Sequence, residues 1–135
     1  MSLNARSYLF DAGIISLFYA GSRTVKPYFD RVFSRVARGF VSEVNLAEFY
    51  YKTVEKKGLE TAEIWYLQVR HSPFRIVSPN ETITRDAALL KVRNKHLSLA
   101  DCFALATKRA SAEVLLTTDS NLKKVEGKNA VYISP

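Results

Sequence analysis

The chain has 135 residues, the usual size of a single domain with a core of its own. Hydrophobic residues make up 47% of it and charged residues 24%, which excludes a largely disordered chain. No apolar run approaches the roughly 20 residues that a membrane-spanning helix needs. The single cysteine, Cys102, excludes an internal disulfide and fits a reducing compartment. We therefore expect one domain over residues 1–135, located in the cytoplasm.

The net charge of the chain is +7, from 20 basic and 13 acidic residues. If four of the acids form one site, only nine others oppose the 20 basic residues, and the rest of the molecule is strongly positive. A basic shell around an acidic pocket suits a polyanion that is held by its phosphates. Because a modest positive charge also aids solubility alone, the charge by itself only slightly favours nucleic acid.

Short apolar runs alternate with longer amphipathic segments from the first residues onward. The run at 8–10 predicts a strand buried on both faces, and the run at 39–41 predicts a second strand. Between them, apolar residues at three-to-four spacing predict a helix over 25–37. Its apolar stripe consists of Val25, Phe29, Val32, Phe33 and Val36.

The middle of the chain continues the alternation. Ser42 can cap a helix that runs to about Lys57, and Gly58 ends it. A further helix is predicted over 59–70, followed by a third strand over 74–77.

The last part of the chain predicts two more helices and two more strands. Asn80 can cap a helix over 81–95, and Ser98 can cap another over 99–110. The fourth and fifth strands are predicted at 114–117 and 131–133. Strands that alternate with helices predict an α/β fold: a three-layer sandwich with a mostly parallel sheet of about five strands and helices on both faces.

Four acidic residues fall where such a fold binds ligands, beyond the carboxyl ends of the strands. Asp11 directly follows the first strand, and Asp119 follows the fourth. Glu48 lies on the helix after the second strand, and Asp101 lies on the helix that leads into the fourth. We expect the first two to share one edge of the sheet, with the helical acids pointing over it.

Four carboxylates in one pocket repel each other and raise each other's pKa. A divalent cation with oxygen ligands removes this cost, and Mg²⁺ or Mn²⁺ is the natural choice. Such an ion can activate a water and stabilise the leaving oxygen of a phosphodiester. Each acid also has a plain structural explanation as a turn, helix-cap or solvated helix residue, and this explanation is strongest for Asp101 beside Ser98.

Taken in order, four segments resemble the PIN-domain ribonucleases, most closely the VapC-type toxins of prokaryotic toxin–antitoxin pairs. The segments are Tyr8-Leu9-Phe10-Asp11, the Ser42-to-Glu48 helix motif, Ser98-Leu99-Ala100-Asp101 and Thr117-Thr118-Asp119-Ser120-Asn121. The resemblance extends along nearly the whole chain, from Tyr8 to Pro135. One such motif alone would be weak, whereas four in order are specific.

The resemblance implies that Asp11, Glu48, Asp101 and Asp119 are catalytic, metal-binding acids and that the cofactor is Mg²⁺ or Mn²⁺. It implies endonucleolytic cleavage of an RNA substrate, often by a homodimer that a small cognate antitoxin protein inhibits.

The chain departs from the family pattern directly after the first acid. The family usually carries Thr or Ser and then a polar residue there, whereas this chain has Ala12 and Gly13. The missing hydroxyl predicts that Asp11 is less well oriented, or that a water is less well held, and thus a weakened site. Three other residues match common polar positions of the family: Ser16, Thr117 and Asn121. The resemblance implies that Asn121 lies beside the metal or contacts it.

Glu43 is an extra acid that we expect to be solvated. Two further groups of residues each have two open interpretations. A group of aromatic residues either stacks on bases or packs a core or dimer interface: Tyr50, Tyr51, Trp65 and Tyr66. A basic series either follows the RNA backbone or forms a solvated helix face: Arg85, Lys91, Arg93 and Lys95.

Two rival functions remain to be weighed. An aspartate-based phosphatase needs a second Asp two residues after the first, and this chain has Gly13 there. The more serious alternative is a non-catalytic PIN-like module that binds RNA or a protein. The Ala12-Gly13 departure favours this module, and the four retained acids argue against it.

Overall fold

The computed structural model describes residues 2–135 and contains one sheet of five parallel strands in the order β3-β2-β1-β4-β5. The strands are β1 (Ser7–Phe10), β2 (Arg38–Ser42), β3 (Arg75–Val77), β4 (Val114–Thr117) and β5 (Ala130–Tyr132). The helices in the described range are α1 (Ala12–Tyr19), α2 (Lys26–Phe33), α3 (Glu43–Lys57), α4 (Leu59–Arg70), α5 (Glu81–Arg93), α6 (Leu99–Ser111) and α7 (Ser120–Glu126). Short 3₁₀ turns lie at Ser2–Asn4 and Gly127–Asn129. The predicted α/β fold with a parallel sheet is confirmed.

The central strand β1 explains why the sheet is covered on both faces. All four of its residues are buried, and successive side chains of a strand point to opposite faces. Phe10 belongs to an aromatic core that also contains Phe29 and Phe74, whereas Leu9 packs on the other face with Leu105. The helices therefore form a layer on each side of the sheet.

The order of the strands places a crevice beside β1. From β1 the chain first builds outward to β2 and β3, and then crosses back to add β4 and β5 on the other side. Leu9 therefore has Phe40 as its partner in one neighbouring strand and Leu115 in the other. In open parallel sheets, a ligand site forms at this switch point, beyond the carboxyl ends of the two strands.

The helix predicted over 25–37 is shorter in the structure, where α2 spans Lys26–Phe33. The amides of Val36 and Ala37 both donate to the carbonyl of Arg31, and Arg35 has a left-handed φ of 62°. This reversal directs the chain into β2, and the Val36 side chain is left exposed. The prediction was wrong at this end because the apolar spacing continues through a turn that the tertiary structure requires.

Two helices were not predicted from the sequence. Both α1 and α7 are short, with eight and seven residues, so neither contains enough turns to establish a clear apolar period. Each begins directly after one of the predicted site residues, Asp11 and Asp119, which are their N-caps. Within residues 2–135, none of the helices combines the length and the apolar character that crossing a membrane requires.

Candidate active site

The carboxyl ends of β1 and β4 open into a cleft of about 460 Å³. Its lining residues are Asp11, Ala12, Gly13, Glu48, Lys52, Ser98, Asp101, Thr118, Asp119, Ser120 and Tyr132. All four acids named from the sequence are among them. They come from the ends of two strands and from two helices that lie far apart in the chain, so only the folded sheet brings them together.

Asp11 is held rigidly at the base of this cleft. Its Oδ1 accepts a hydrogen bond from the Ile14 amide at 3.0 Å, and its Oδ2 accepts from the Thr117 hydroxyl at 2.5 Å and the Thr118 amide at 3.3 Å. The pKa of Asp11 is raised to about 6. Burial is the main cause and the charge of Glu48 adds to it, whereas the three hydrogen bonds lower the pKa and offset part of the rise. The carboxylate is thus oriented by three donors and easily protonated in the absence of a cation.

Thr117 connects Asp11 to Asp119. Its buried hydroxyl donates to Asp11 and accepts a hydrogen bond from the Asp119 amide at 2.9 Å. The Asp119 Oδ1 in turn accepts from the Asn121 amide at 2.7 Å, which caps α7. One hydroxyl therefore sets the relative position of the two strand-end carboxylates.

Asp101 combines both interpretations that the sequence left open. Its amide donates to the Ser98 hydroxyl at 3.1 Å, so Ser98 caps α6 through the backbone of Asp101. The Asp101 carboxyl remains available to the cleft. Burial, the hydrogen bond with Asp119 and the charge of Asp119 raise the pKa of Asp101 to about 7. The raised pKa of Asp101 thus has its cause in the burial of this carboxyl group and in its closeness to Asp119.

Glu48 completes the acidic group from the side of α3. Its side chain is 19% exposed, and its Oε2 lies 3.2 Å from the Nζ of Lys52, one helical turn later. Asn45 on the same helix donates to the carbonyl of Ala100 at 3.3 Å, which ties α3 to the start of α6. The helix of Glu48 is thus fastened next to the helix of Asp101. Lys52 was not singled out from the sequence, although its i,i+4 spacing from Glu48 was a usable signal.

The donor set fits a hard divalent cation. Carboxylate oxygens are the ligands that Mg²⁺ and Mn²⁺ prefer, and a divalent cation would offset the charge of Asp119 that helps to raise the pKa of Asp101. In the part of the chain that the structure describes, no three acidic, histidine or cysteine side chains form a preformed metal-binding cluster. The carboxylates would therefore have to draw together around an ion.

The glycine at position 13, one of the two departures from the family pattern, has a structural cause at the same cleft. A Cβ atom on Gly13 would lie 2.0 Å from the Oγ1 of Thr118 and 3.1 Å from its Cβ. A side chain at position 13 is therefore excluded by the threonine that follows β4. The expectation that Asp11 is poorly oriented was wrong, because Thr117 and two backbone amides orient it instead.

Several other residues named from the sequence lie away from the cleft. Ser16 is exposed on α1, and Asn121 touches Asp119 through its backbone amide without lining the cleft. Glu43, which we expected to be solvated, lies outside the cleft with a side chain that is 35% exposed and pairs with Arg70. Both of its carboxylate oxygens accept hydrogen bonds from Arg70, at 2.9 and 2.7 Å, and this ion pair lowers the pKa of Glu43.

Most of the aromatic residues named from the sequence make packing or hydrogen-bond contacts, and two of the basic residues make local contacts. Trp65 stacks on Tyr19 with ring centroids 4.5 Å apart, while Tyr50 donates to Glu63 and Tyr66 accepts a hydrogen bond from Arg70. Tyr51 is the exception among these aromatics, since half of it is exposed. In the basic series, Lys91 donates to the carbonyls of residues 95 and 97, and Arg85 pairs with Glu81.

Comparison with known proteins supports this architecture. The sequence model of the PIN domain matches residues 8–128. Among curated protein sequences, none matches the chain.

Solved structures of the same fold include VapC20 of Mycobacterium tuberculosis, a Sarcin-Ricin loop cleaving toxin. It has a TM-score of 0.74 and 18% identity, and the alignment covers 95% of this chain and 99% of that one. A toxin-antitoxin complex from Klebsiella pneumoniae gives 0.71 at 18% identity, with coverages of 95% and 99%. VapBC-1 from nontypeable Haemophilus influenzae gives 0.70 at 15% identity, with coverages of 93% and 97%. The resemblance noted in the sequence is confirmed, and at these identities the structures show the fold.

Proposed function

The chain belongs to the PIN domain family, and from this premise we propose that it is a Mg²⁺- or Mn²⁺-dependent endoribonuclease that hydrolyses phosphodiester bonds of RNA. The observation that carries the proposal is the meeting of Asp11, Glu48, Asp101 and Asp119 in one cleft at the switch point of the sheet. The raised pKa values of Asp11 and Asp101 support it, because buried carboxylates beside other acids are stabilised by a divalent cation.

The four acids reach the site from different structural elements. Asp11 and Asp119 stand at the strand ends with their geometry set by Thr117, so they form the rigid half of the site. Asp101 and Glu48 approach from helices and can close over an ion from above. A divalent ion bound by these four residues would favour ionisation of a water and stabilise the leaving oxygen. Attack by water does not use the 2′-OH of RNA, so no 2′,3′-cyclic phosphate forms. With the 3′-oxygen as the leaving group, which takes up a proton, the products carry a 5′-phosphate and a 3′-hydroxyl.

The charge of the chain supports a nucleic-acid substrate. Its net charge is +7 although the cleft gathers four acids, so the surface away from the cleft is strongly basic. Such a surface holds the phosphates of RNA, while the acidic cleft acts at one bond.

We also propose that the protein is the toxin of a toxin–antitoxin pair, acts in the cytoplasm as a homodimer and is inhibited by a cognate antitoxin protein. The support is that the similar structures include a toxin-antitoxin complex and a VapBC assembly, at coverages above 90% of both chains. The alternative of a non-catalytic module loses its main argument, because Asp11 is fully oriented without a hydroxyl at positions 12 or 13.

The decisive experiment incubates the purified protein with mixed cellular RNA, in Mn²⁺ and in chelator, and maps the new ends. We expect cleavage only with Mn²⁺ or Mg²⁺, and new ends that carry 5′-phosphate. Glu48→Gln should lower the rate by orders of magnitude. Glu55→Gln is the matched control, since Glu55 is exposed on the same helix outside the cleft. Ends with a 2′,3′-cyclic phosphate, or full activity in chelator, would contradict the proposal.

A further inference from the structure

Lys52 is the only basic side chain among the described residues that line the acidic cleft. It lies one turn after Glu48 on α3, with its Nζ 3.2 Å from the Glu48 Oε2. Its side chain is 49% exposed, whereas that of Glu48 is 19% exposed. The ammonium group therefore stands at the boundary between the cleft and solvent, where it can reach either.

The contact between Lys52 and Glu48 is weak and replaceable. The Lys52 ammonium group contacts the Glu48 carboxylate and lines the same cleft as the other three acids. The ammonium thus partly neutralises the acids while no ion is bound. An exposed pair at i,i+4 spacing contributes little stability, so a divalent cation can displace the ammonium from Glu48.

We propose that Lys52 is a substrate-binding residue that exchanges partners: it pairs with Glu48 when the cleft holds no ion, and contacts an RNA phosphate beside the cleft once Glu48 binds the ion. This inference rests on the proposed nuclease function. The reason is electrostatic, because an ion at Glu48 neutralises the carboxylate and repels the ammonium. A lysine side chain is flexible and carries three donors, so the displaced group can turn toward the nearest anion, which in the complex is the phosphate backbone.

The test compares Lys52→Met with Lys56→Met. Lys56 lies one further turn along α3, is exposed and does not line the cleft. Both changes remove one positive charge from the same helix, so any effect of net charge is equal. Binding of a short single-stranded RNA is measured against salt concentration, in chelator and in Ca²⁺. Calcium supplies an oxygen-coordinated divalent charge, and intact RNA is verified after each measurement.

In Ca²⁺ we expect the log–log salt slope of Lys52→Met to be shallower than that of Lys56→Met by about 0.7, the value for one phosphate contact on a single strand. This corresponds to about fivefold weaker binding at 0.1 M salt. In chelator the two slopes should be equal, because Lys52 is then held by Glu48. Equal slopes in Ca²⁺, or the same difference in both conditions, would overturn the exchange.

A second readout does not involve RNA. Removing the ammonium that competes for Glu48 should make Mn²⁺ raise the melting temperature of Lys52→Met more than that of Lys56→Met. An equal or smaller rise would show that Lys52 does not compete with the ion. If the parent cuts RNA while the two variants behave alike, only the role of Lys52 is refuted. If the parent neither binds nor cuts RNA, the proposed function itself is refuted.

Discussion

At the scale of single residues, Asp101 shows how one position can serve the fold and the site through different atoms. Its amide hydrogen completes the cap that Ser98 provides, whereas its carboxyl group faces Asp119 in the cleft. The capping pattern in the sequence was therefore real, and it did not exclude a role in the site. The two roles can be separated by a substitution that keeps the amide and removes the charge.

Replacing Asp101 by Asn should leave the metal-free protein as stable as the parent or more stable, because it removes like-charge repulsion with Asp119. Mn²⁺ should then raise the melting temperature less than it does in the parent, and RNA cleavage should fall by orders of magnitude. Melting curves with and without Mn²⁺, beside a cleavage assay, measure all three effects. A variant that melts lower without metal, gains as much from Mn²⁺ and still cuts RNA would exclude Asp101 from the site.

The raised pKa values of Asp11 and Asp101 also predict how stability changes with pH. Both lie above the ordinary value of 3.8, at about 6 and about 7, so the folded protein retains protons that the unfolded chain has released. The free energy of unfolding without metal should therefore fall as the pH rises from about 4 to about 7. The Glu43–Arg70 pair acts in the opposite direction, because the pKa of Glu43 is lowered in the folded protein. Its contribution to stability is present above the ordinary value of 4.5 and is lost as the pH falls below it.

Urea unfolding in chelator at a series of pH values measures this dependence. The decrease between pH 5 and pH 7 should be smaller in Asp101→Asn, which has no carboxyl group to deprotonate at that position. A parent protein whose stability rises over this interval would contradict the assignment of the two raised pKa values.

At the scale of elements, the site depends on how closely helix α1 approaches the segment that joins β4 to α7. The hydroxyl of Thr118 occupies the space where a side chain on Gly13 would begin. A larger residue at position 13 and threonine at position 118 therefore crowd each other in this packing. This contact accounts for the glycine at position 13, the second of the two positions where the chain departs from the family pattern.

The close approach makes Gly13→Ala a sensitive test. Helix propensity alone would favour alanine by about 1 kcal/mol, but overpacking against Thr118 should cost about 1–3 kcal/mol and give net destabilisation. In a Thr118→Ala background the cost should shrink, because only the contact of 3.1 Å to the Cβ of residue 118 remains. Unfolding free energies of the parent, both single variants and the double variant form the cycle. Additive effects would show that the two positions do not interact.

At the scale of the whole molecule, the proposed function assigns catalysis to the acidic cleft and substrate affinity to the basic surface around it. Among the described residues that line the cleft there are four acids and one basic residue, Lys52. The positive net charge of +7 therefore comes from residues outside the cleft. Substrate affinity should therefore come mainly from phosphate contacts, and each contact releases counterions.

RNA binding by an inactive variant such as Glu48→Gln should thus weaken steeply with salt. The slope of log affinity against log salt concentration is about −0.7 for each phosphate contact on a single strand, so several contacts give a slope of several units. Fluorescence anisotropy over a range of KCl concentrations measures it. A flat dependence would show that the basic residues do not hold the substrate.

The sequence by itself determined the α/β class, the five strands and the helices whose apolar period continues over several turns, because burial against a sheet imposes that period on a long segment. It also indicated that Asp11 and Asp119 share an edge, since the carboxyl ends of parallel strands point the same way. It did not determine where α2 ends, because the turn at Arg35 is imposed by the entry into β2. Short helices such as α1 were not predicted either, since eight residues contain too few repeats of the apolar period.

Only the tertiary structure decided the details that define the site. Sequence patterns describe neighbours along the chain, whereas the bond from Thr117 to Asp11 joins residues 106 positions apart. The contact of Thr118 with Gly13 and the effect of Asp119 on the pKa of Asp101 are equally non-local. The partner of Glu43 could not be predicted for the same reason, because Arg70 lies on the next helix. Steric exclusion, burial and charge pairing act through space, so they become visible only when the sheet has brought these segments together.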